Sequence, residues 1–196
     1  MFRRTLMLPV VIGLVLAIVG SASAAIVHVR VEGKSQTIFG ATQPRASATT
    51  ALEALESASI GGEFYYHVQV TGFGPYVDHI GRNAAAGFGG WAFKVNGASP
   101  PVGADQVEVK DGDVVLWYWA DFTEAGGPPT LELAREGIGC YRVVAKNDAG
   151  AAVSVAATLR VDSRRVPMAG GRACPGPHRS LVRAIAFDAV RSNALK

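Results

Sequence analysis

Along most of the chain hydrophobic residues recur at every second position, the spacing that lines one face of a β-strand. In "IVHVRVEG", residues 26–33, Val27, Val29 and Val31 share one face and Ile26, His28 and Arg30 the other. A short extended piece from Gln36 to Phe39 is placed to pair back through Gly33 and Lys34 as a hairpin. The period then changes. "SATTALEALESAS", residues 47–59, offers Ser47 or Thr49 as an N-cap and brings Leu52 and Leu55 onto one face of a short helix. "EFYYHVQV", residues 63–70, returns to alternation, with Phe64, Tyr66, Val68 and Val70 against Tyr65, His67 and Gln69. Gly72 to Gly90 is rich in Gly, Pro and Asn and reads as a long surface loop. Loops of that length usually bind something or move.

"WAFKV", residues 91–95, is a strand with Trp91, Phe93 and Val95 on one face, followed by Asn96-Gly97, a strong hairpin-turn signal. "QVEV" and "VVLWYW", residues 106–109 and 114–119, read as two further strands joined through Asp111-Gly112. In the last of them Val115, Trp117 and Trp119 oppose Val114, Leu116 and Tyr118. Both faces are bulky, so this strand is predicted to be central in its sheet. Strand, strand, helix, strands predicts a small α+β domain.

After "EAGGPPT", residues 124–130, whose Gly-Gly-Pro-Pro core breaks helix and strand alike, the pattern becomes all β. "TLELA", "GCYRVVAK", "AVSVAATLRV" and "RSLVRAIAF" are strand-like, with Asn147 to Gly150 as a turn. Such a run predicts a β-sandwich. Residues 157–184 are weakly similar to the prealbumin-like, carboxypeptidase-regulatory type of repeat. Met168-Ala169-Gly170 departs from that pattern, which leaves an immunoglobulin-like sandwich as the alternative.

Composition sharpens the division. Residues 25–124 carry six Lys/Arg and eleven Asp/Glu, whereas 125–196 carry eleven and five. All aromatics beyond the first 24 residues except Tyr141 and Phe187 lie in the first part. Contact between an acidic and a basic domain is therefore expected, and with it loss of compactness at high salt. "MFRRTLMLPVVIGLVLAIVGSASA", residues 1–24, has the basic start, apolar run and small-residue site of a secretory signal peptide. The predicted organisation is a signal peptide (1–24), an α+β domain (25–123), a Gly/Pro linker (124–129) and a small all-β sandwich-like domain (130–196). The mature chain is expected to be secreted or associated with the cell envelope, with no membrane span left after cleavage. An oxidising compartment also favours a disulfide between Cys140 and Cys174.

The opening residues "VHVRVEG" with "GGWAFKVNGASPPVGADQVEVKDGDVVLWYW", residues 89–119, resemble a domain of unknown function that is similar to the C-terminal domain of transcobalamin and intrinsic factor. The resemblance runs from Ala25 to Phe122. It implies a β-grasp-like fold, in which a helix packs across a mixed sheet, and an extracellular non-enzymatic module. In the vertebrate relatives this domain lies over one side of bound cobalamin, but the resemblance does not carry the ligand: a corrinoid or another small molecule is the candidate, and a structural or adhesive cell-envelope protein without a small ligand is the alternative. The helical domain that cups the corrin from the opposite side has no counterpart in this sequence.

Candidate chemistry is sparse. Binding sites need apolar walls and a few placed polar groups, which Trp91, Phe93, Asn96, Tyr118 and Trp119 supply, with Gly72 to Gly90 as a lid. Core packing is the competing role for Trp91, Phe93 and Trp117, whereas Tyr118, opposite that face, is expected to keep its hydroxyl wet. Asp78-His79 with His67 is the best acid/base cluster. No nucleophile or metal set accompanies it, so no enzyme and no metal site are expected. The arginines of the second part lack interleaved aromatics, which argues against nucleic acid; attraction to an anionic envelope component and a simply solvated arginine-rich face are the readings left.

Overall fold

The computed structural model describes residues 23–196; the predicted signal peptide lies almost wholly outside them. Among the described residues the chain is mostly β, with one helix and no helix long and apolar enough to cross a membrane. In the first half the order is β1 (Ala25–Glu32), β2 (Thr37–Phe39), β3 (Arg45–Ala48), α1 (Ala51–Gly62), β4 (Tyr66–Thr71), β5 (Gly74–Ile80), β6 (Asn83–Ala84), β7 (Gly89–Val95) and β8 (Val114–Asp121). The main sheet runs β2-β1-β8-β7, with β3 also on β1. Its two central strands, β1 and β8, are parallel, while β7 is antiparallel to β8. A parallel pair needs a crossover, and α1 lies in that crossover, packed on the sheet by Ala51, Ala54, Leu55 and Ala58. These meet Val27, Val29, Val31, Val115 and Trp117, the apolar face read from the alternation.

Thr50, rather than Ser47 or Thr49, caps the helix: its side chain accepts from Glu53 N. Glu53 in turn accepts from the backbone of the residue before the cap, Thr49 N, at 2.8 Å, a variant of the capping box. "QVEV" is not a strand. Its backbone bonds instead to the chain at the helix start, Ala51 N to Val107 O and Val109 N to Thr49 O. Gly72 to Gly90 is not a structureless loop either. It contains β5 and β6, which with β4 form a separate three-stranded sheet. The Gly and Pro residues mark its turn and ends, and Val77 and Ile80 are buried in the main core.

The second half comprises β9 (Thr130–Arg135), β10 (Tyr141–Lys146), β11 (Ala152–Val153), β12 (Thr158–Val161), β13 (Arg164–Pro167), β14 (Arg172–Ala173), β15 (Val182–Ile185) and β16 (Ala194–Leu195). One sheet runs β11-β10-β14 with β9 on β10, and the other runs β13-β12-β15-β16. Leu131, Leu133, Tyr141 and Val143 from the first share a core with Leu159, Val161, Val182 and Ala184 from the second, as in a β-sandwich. "AVSVAATLRV" is split because the chain leaves one sheet after Val153 and joins the other at Thr158. Cys140 and Cys174 are bonded, beside the Tyr141–Ala173 pair that joins β10 to β14.

The two halves are in contact. The face of β8 away from the helix, Leu116, Tyr118 and Ala120, packs on Val190. Beside it Glu32 is buried among Arg30, Arg183 and Arg191, with Arg191 Nε 3.1 Å from Glu32 Oε2. Thr37 Oγ1 donates to Glu32 Oε2 at 3.1 Å. Burial brings the Arg30 guanidinium down to about 10, against the pull of Glu32. Contact between an acidic and a basic half therefore rests here on enclosed pairs, not on exposed charge.

Candidate ligand cleft against an edge strand

Strand β7 is the edge of the main sheet, so a hollow against it meets residues from both sheet faces. A cleft of about 340 Å³ lies there, lined by Trp91, Phe93 and Trp117 from the helix side and by Ala92, Tyr118 and Phe122 from the other. Pro75 and Tyr76 come from the arm formed by β4 to β6, Ser99 and Pro100 from the segment after β7, and Asp148 from the second half.

The aromatic groups are held firmly. Trp91 Nε1 donates to Asn83 O at 2.7 Å, and Trp117 Nε1 donates to Ala51 O at 3.2 Å. Phe93 stacks on Trp117 with ring centroids 5.1 Å apart. Each indole thus spends its donor on backbone and presents only carbon to the cleft.

Tyr118, expected to be wet, is 1% exposed because the second half covers its face of the sheet. Burial first, and the Asp148 carboxylate second, push its phenol well above the ordinary tyrosine value. It therefore stays a neutral donor throughout the physiological range. Asp148 is fixed in turn by Gly127 N at 2.9 Å and by Lys94 Nζ at 3.4 Å. Lys94 is buried and donates to Asn147 O at 2.8 Å and Lys146 O at 3.2 Å. Burial lowers its ammonium and Asp148 opposes the shift.

Three of the five residues singled out from sequence, Trp91, Phe93 and Tyr118, line this cleft. Asn96 does not. It holds the β7–β8 connection with a positive φ of 53°, accepting from Val114 N at 2.9 Å and donating to Asp113 Oδ1 at 2.8 Å. Trp119 faces a different hollow, of about 460 Å³, that includes Phe187 and Asp188, with Lys34 Nζ 3.9 Å above its ring. Its other neighbour is Gly89, where a Cβ would stand 2.3 Å from Cζ2 of the indole. Sequence reasoning missed Tyr76, Phe122 and Asp148. Tyr76 lay in a segment read as loop, and nothing local ties Asp148 to a site whose other residues all precede it by 26 positions or more.

The polar clusters lie elsewhere. His67 pairs with His79 across β4 and β5, and its Nδ1 is 2.7 Å from Asp78 Oδ1, on an exposed part of the arm. Tyr141 hydroxyl bonds to His178 Nε2 in the second half. Among the described residues no three His, Cys, Asp or Glu side chains are grouped to hold a metal ion.

Comparison with known proteins adds the following. Residues 48–121 match the family described as Domain of unknown function (DUF4430). A crystal structure from Ruminococcus gnavus, described as a "putative metal binding protein", is similar at 18% identity and a TM-score of 0.38. The match covers 50% of this chain and 99% of that one. No curated protein matches.

Proposed function

We propose that this chain is a non-enzymatic binding module of an exported protein and that its ligand enters the cleft against β7. The supporting observation is the cleft itself: carbon walls from Trp91, Phe93 and Phe122 around a few fixed polar groups, Tyr118, Ser99 and Asp148. In this reading residues 25–123 form a transcobalamin-like, β-grasp-like domain, 124–129 a linker and 130–196 a small β-sandwich domain that closes one wall. The parallel β1–β8 pair with α1 across it supports the β-grasp assignment. Export is supported by the signal-like leader and the Cys140–Cys174 bond.

A corrinoid is the named candidate among small ligands in this reading. A cleft of about 340 Å³ is at the small end of ligand sites, roughly 300–1,000 Å³, so a corrin ring would lie across its mouth with a peripheral arm inside. Titration with cobalamin, following tryptophan fluorescence corrected for corrin absorbance, tests this. Saturable quenching with a Kd below about 10 μM supports it, and a flat signal to about 100 μM removes it. The cleft reading is tested apart from any corrin with p-cresol, watched through the Trp91 indole N–H by NMR; no shift at millimolar probe overturns it.

A second reading, adhesion to an envelope component without a small ligand, is favoured by the tip of the arm. Val70 and Phe73 are almost fully exposed there, and Phe88 is exposed nearby in sequence.

A further inference from the structure

The edge of β7 has an alternation that selects one kind of ligand. Asn96 N donates to Val114 O at 2.9 Å and Phe122 N to Phe88 O at 2.9 Å, so even-numbered residues from 88 to 96 turn their backbone groups toward β8. Odd-numbered residues turn theirs outward. Gly89 exchanges bonds with Ala86 at 2.8 and 3.0 Å, and Val95 with Ala98 at 2.9 and 3.1 Å. Between them, the outward N–H and C=O of Trp91 and Phe93 pair with no described residue. Both residues line the cleft.

We infer that the cleft takes an extended peptide of about three residues from a partner, added as a strand on β7. This rests on the cleft being the ligand site and names its ligand class. Two donors and two acceptors, about 7 Å apart along the strand, match the first and third residues of an extended chain. That alternation of backbone partial charges is what recognises a peptide and not simply an apolar ring. Edges are normally blunted by exposed charge or proline, yet this stretch reads Trp91-Ala92-Phe93, and the charge of the next residue, Lys94, is drawn into the second half. The middle residue of the peptide falls beside Ala92, on the Tyr118 and Phe122 side. The small side chain there leaves room for a large apolar one.

The test uses the chain from residue 25 onward, with acetyl-Val-Phe-Val-amide as probe, followed through the amide resonances of Trp91 and Phe93. Saturable shifts are expected. Methylating both valine nitrogens should weaken binding by about tenfold or more, since it removes the two donated bonds. Ala92→Leu should remove binding of the peptide while leaving the Trp91 indole resonance in place. If p-cresol binds but the methylated and unmethylated peptides are equal, the peptide inference is overturned and the cleft reading stands. If neither p-cresol nor peptide binds, the cleft reading falls with it. If sedimentation equilibrium shows a dimer that Ala92→Leu dissociates, the occupant is a second copy and the inference is overturned.

Discussion

The two faces of β8 are built on different physics. Toward the helix, Val115 and Trp117 join Val27, Val29, Val31 and Leu55 in an apolar core, held chiefly by burial, with the Trp117 indole donating to Ala51 O. Away from the helix, Leu116, Tyr118 and Ala120 are joined at the junction by the buried Glu32–arginine cluster and by Lys94. Apolar packing tolerates a lost partner by partial relaxation, whereas an enclosed charge that loses its partner is stranded. The face that joins the halves is therefore the brittle one, and it also carries the polar wall of the cleft.

Breaking one charge should show this most clearly. Glu32→Ala leaves Arg30, Arg183 and Arg191 without their common carboxylate. A loss of about 3–5 kcal/mol is expected by urea unfolding, and a loss under about 1 would mean that the cluster is hydrated and the contrast false. Trp117→Ala tests the other face. It removes the ring that stacks on Phe93, with about 3–5 kcal/mol lost. Hydrogen exchange should then loosen α1 and β7 while the second half stays protected.

A smaller, pH-dependent effect should come from Tyr118. Its folded pKa is raised, so the unfolded chain loses that proton first, near pH 10, and stability falls as pH rises above that point. Tyr118→Phe should flatten the fall between about pH 9 and 11, read from urea midpoints; an unchanged slope would mean the phenol is not enclosed. The smallest effect concerns salt. Exposed pairs would be screened and the halves would part, but Glu32 is enclosed. The radius of gyration by X-ray scattering should stay constant to about 1 M salt, and expansion would restore the simpler picture of loose charge attraction.

This contrast also explains what could be read from the chain. Val27, Val29 and Val31 announced an apolar strand face and the doubly bulky β8 a central strand, because alternation reports directly on burial. Glu32 and Lys94 carried no such signal, since a charged residue in a strand reads as solvent-facing until a partner distant in sequence encloses it. Trp91 and Phe93 were legible as cleft residues through their size. Asn96 and Trp119 were not separable from them, because a turn or a twist of the sheet moves a neighbour out of a hollow without changing the local pattern. The hidden strands β5 and β6 show the same limit: Gly74 and Pro75 speak of a turn, and only the main core, through Val77 and Ile80, reveals the rest.

The parallel pairing of β1 with β8 has a consequence in time. His28 lies opposite Val114, and the guanidinium of Arg191 reaches Glu32 across a separation of 159 residues. Strand β1 thus finds its central neighbour only after the whole segment between them exists, and Glu32, paired locally with Arg30, gains Arg183 and Arg191 only from 151 and 159 residues further on. Folding dominated by such distant contacts is slow and cannot finish during synthesis. A chain that delays its own closure in this way stays open longer than a fold that sets from its N-terminus, and the edge of β1 that takes β8 waits unpaired for that time.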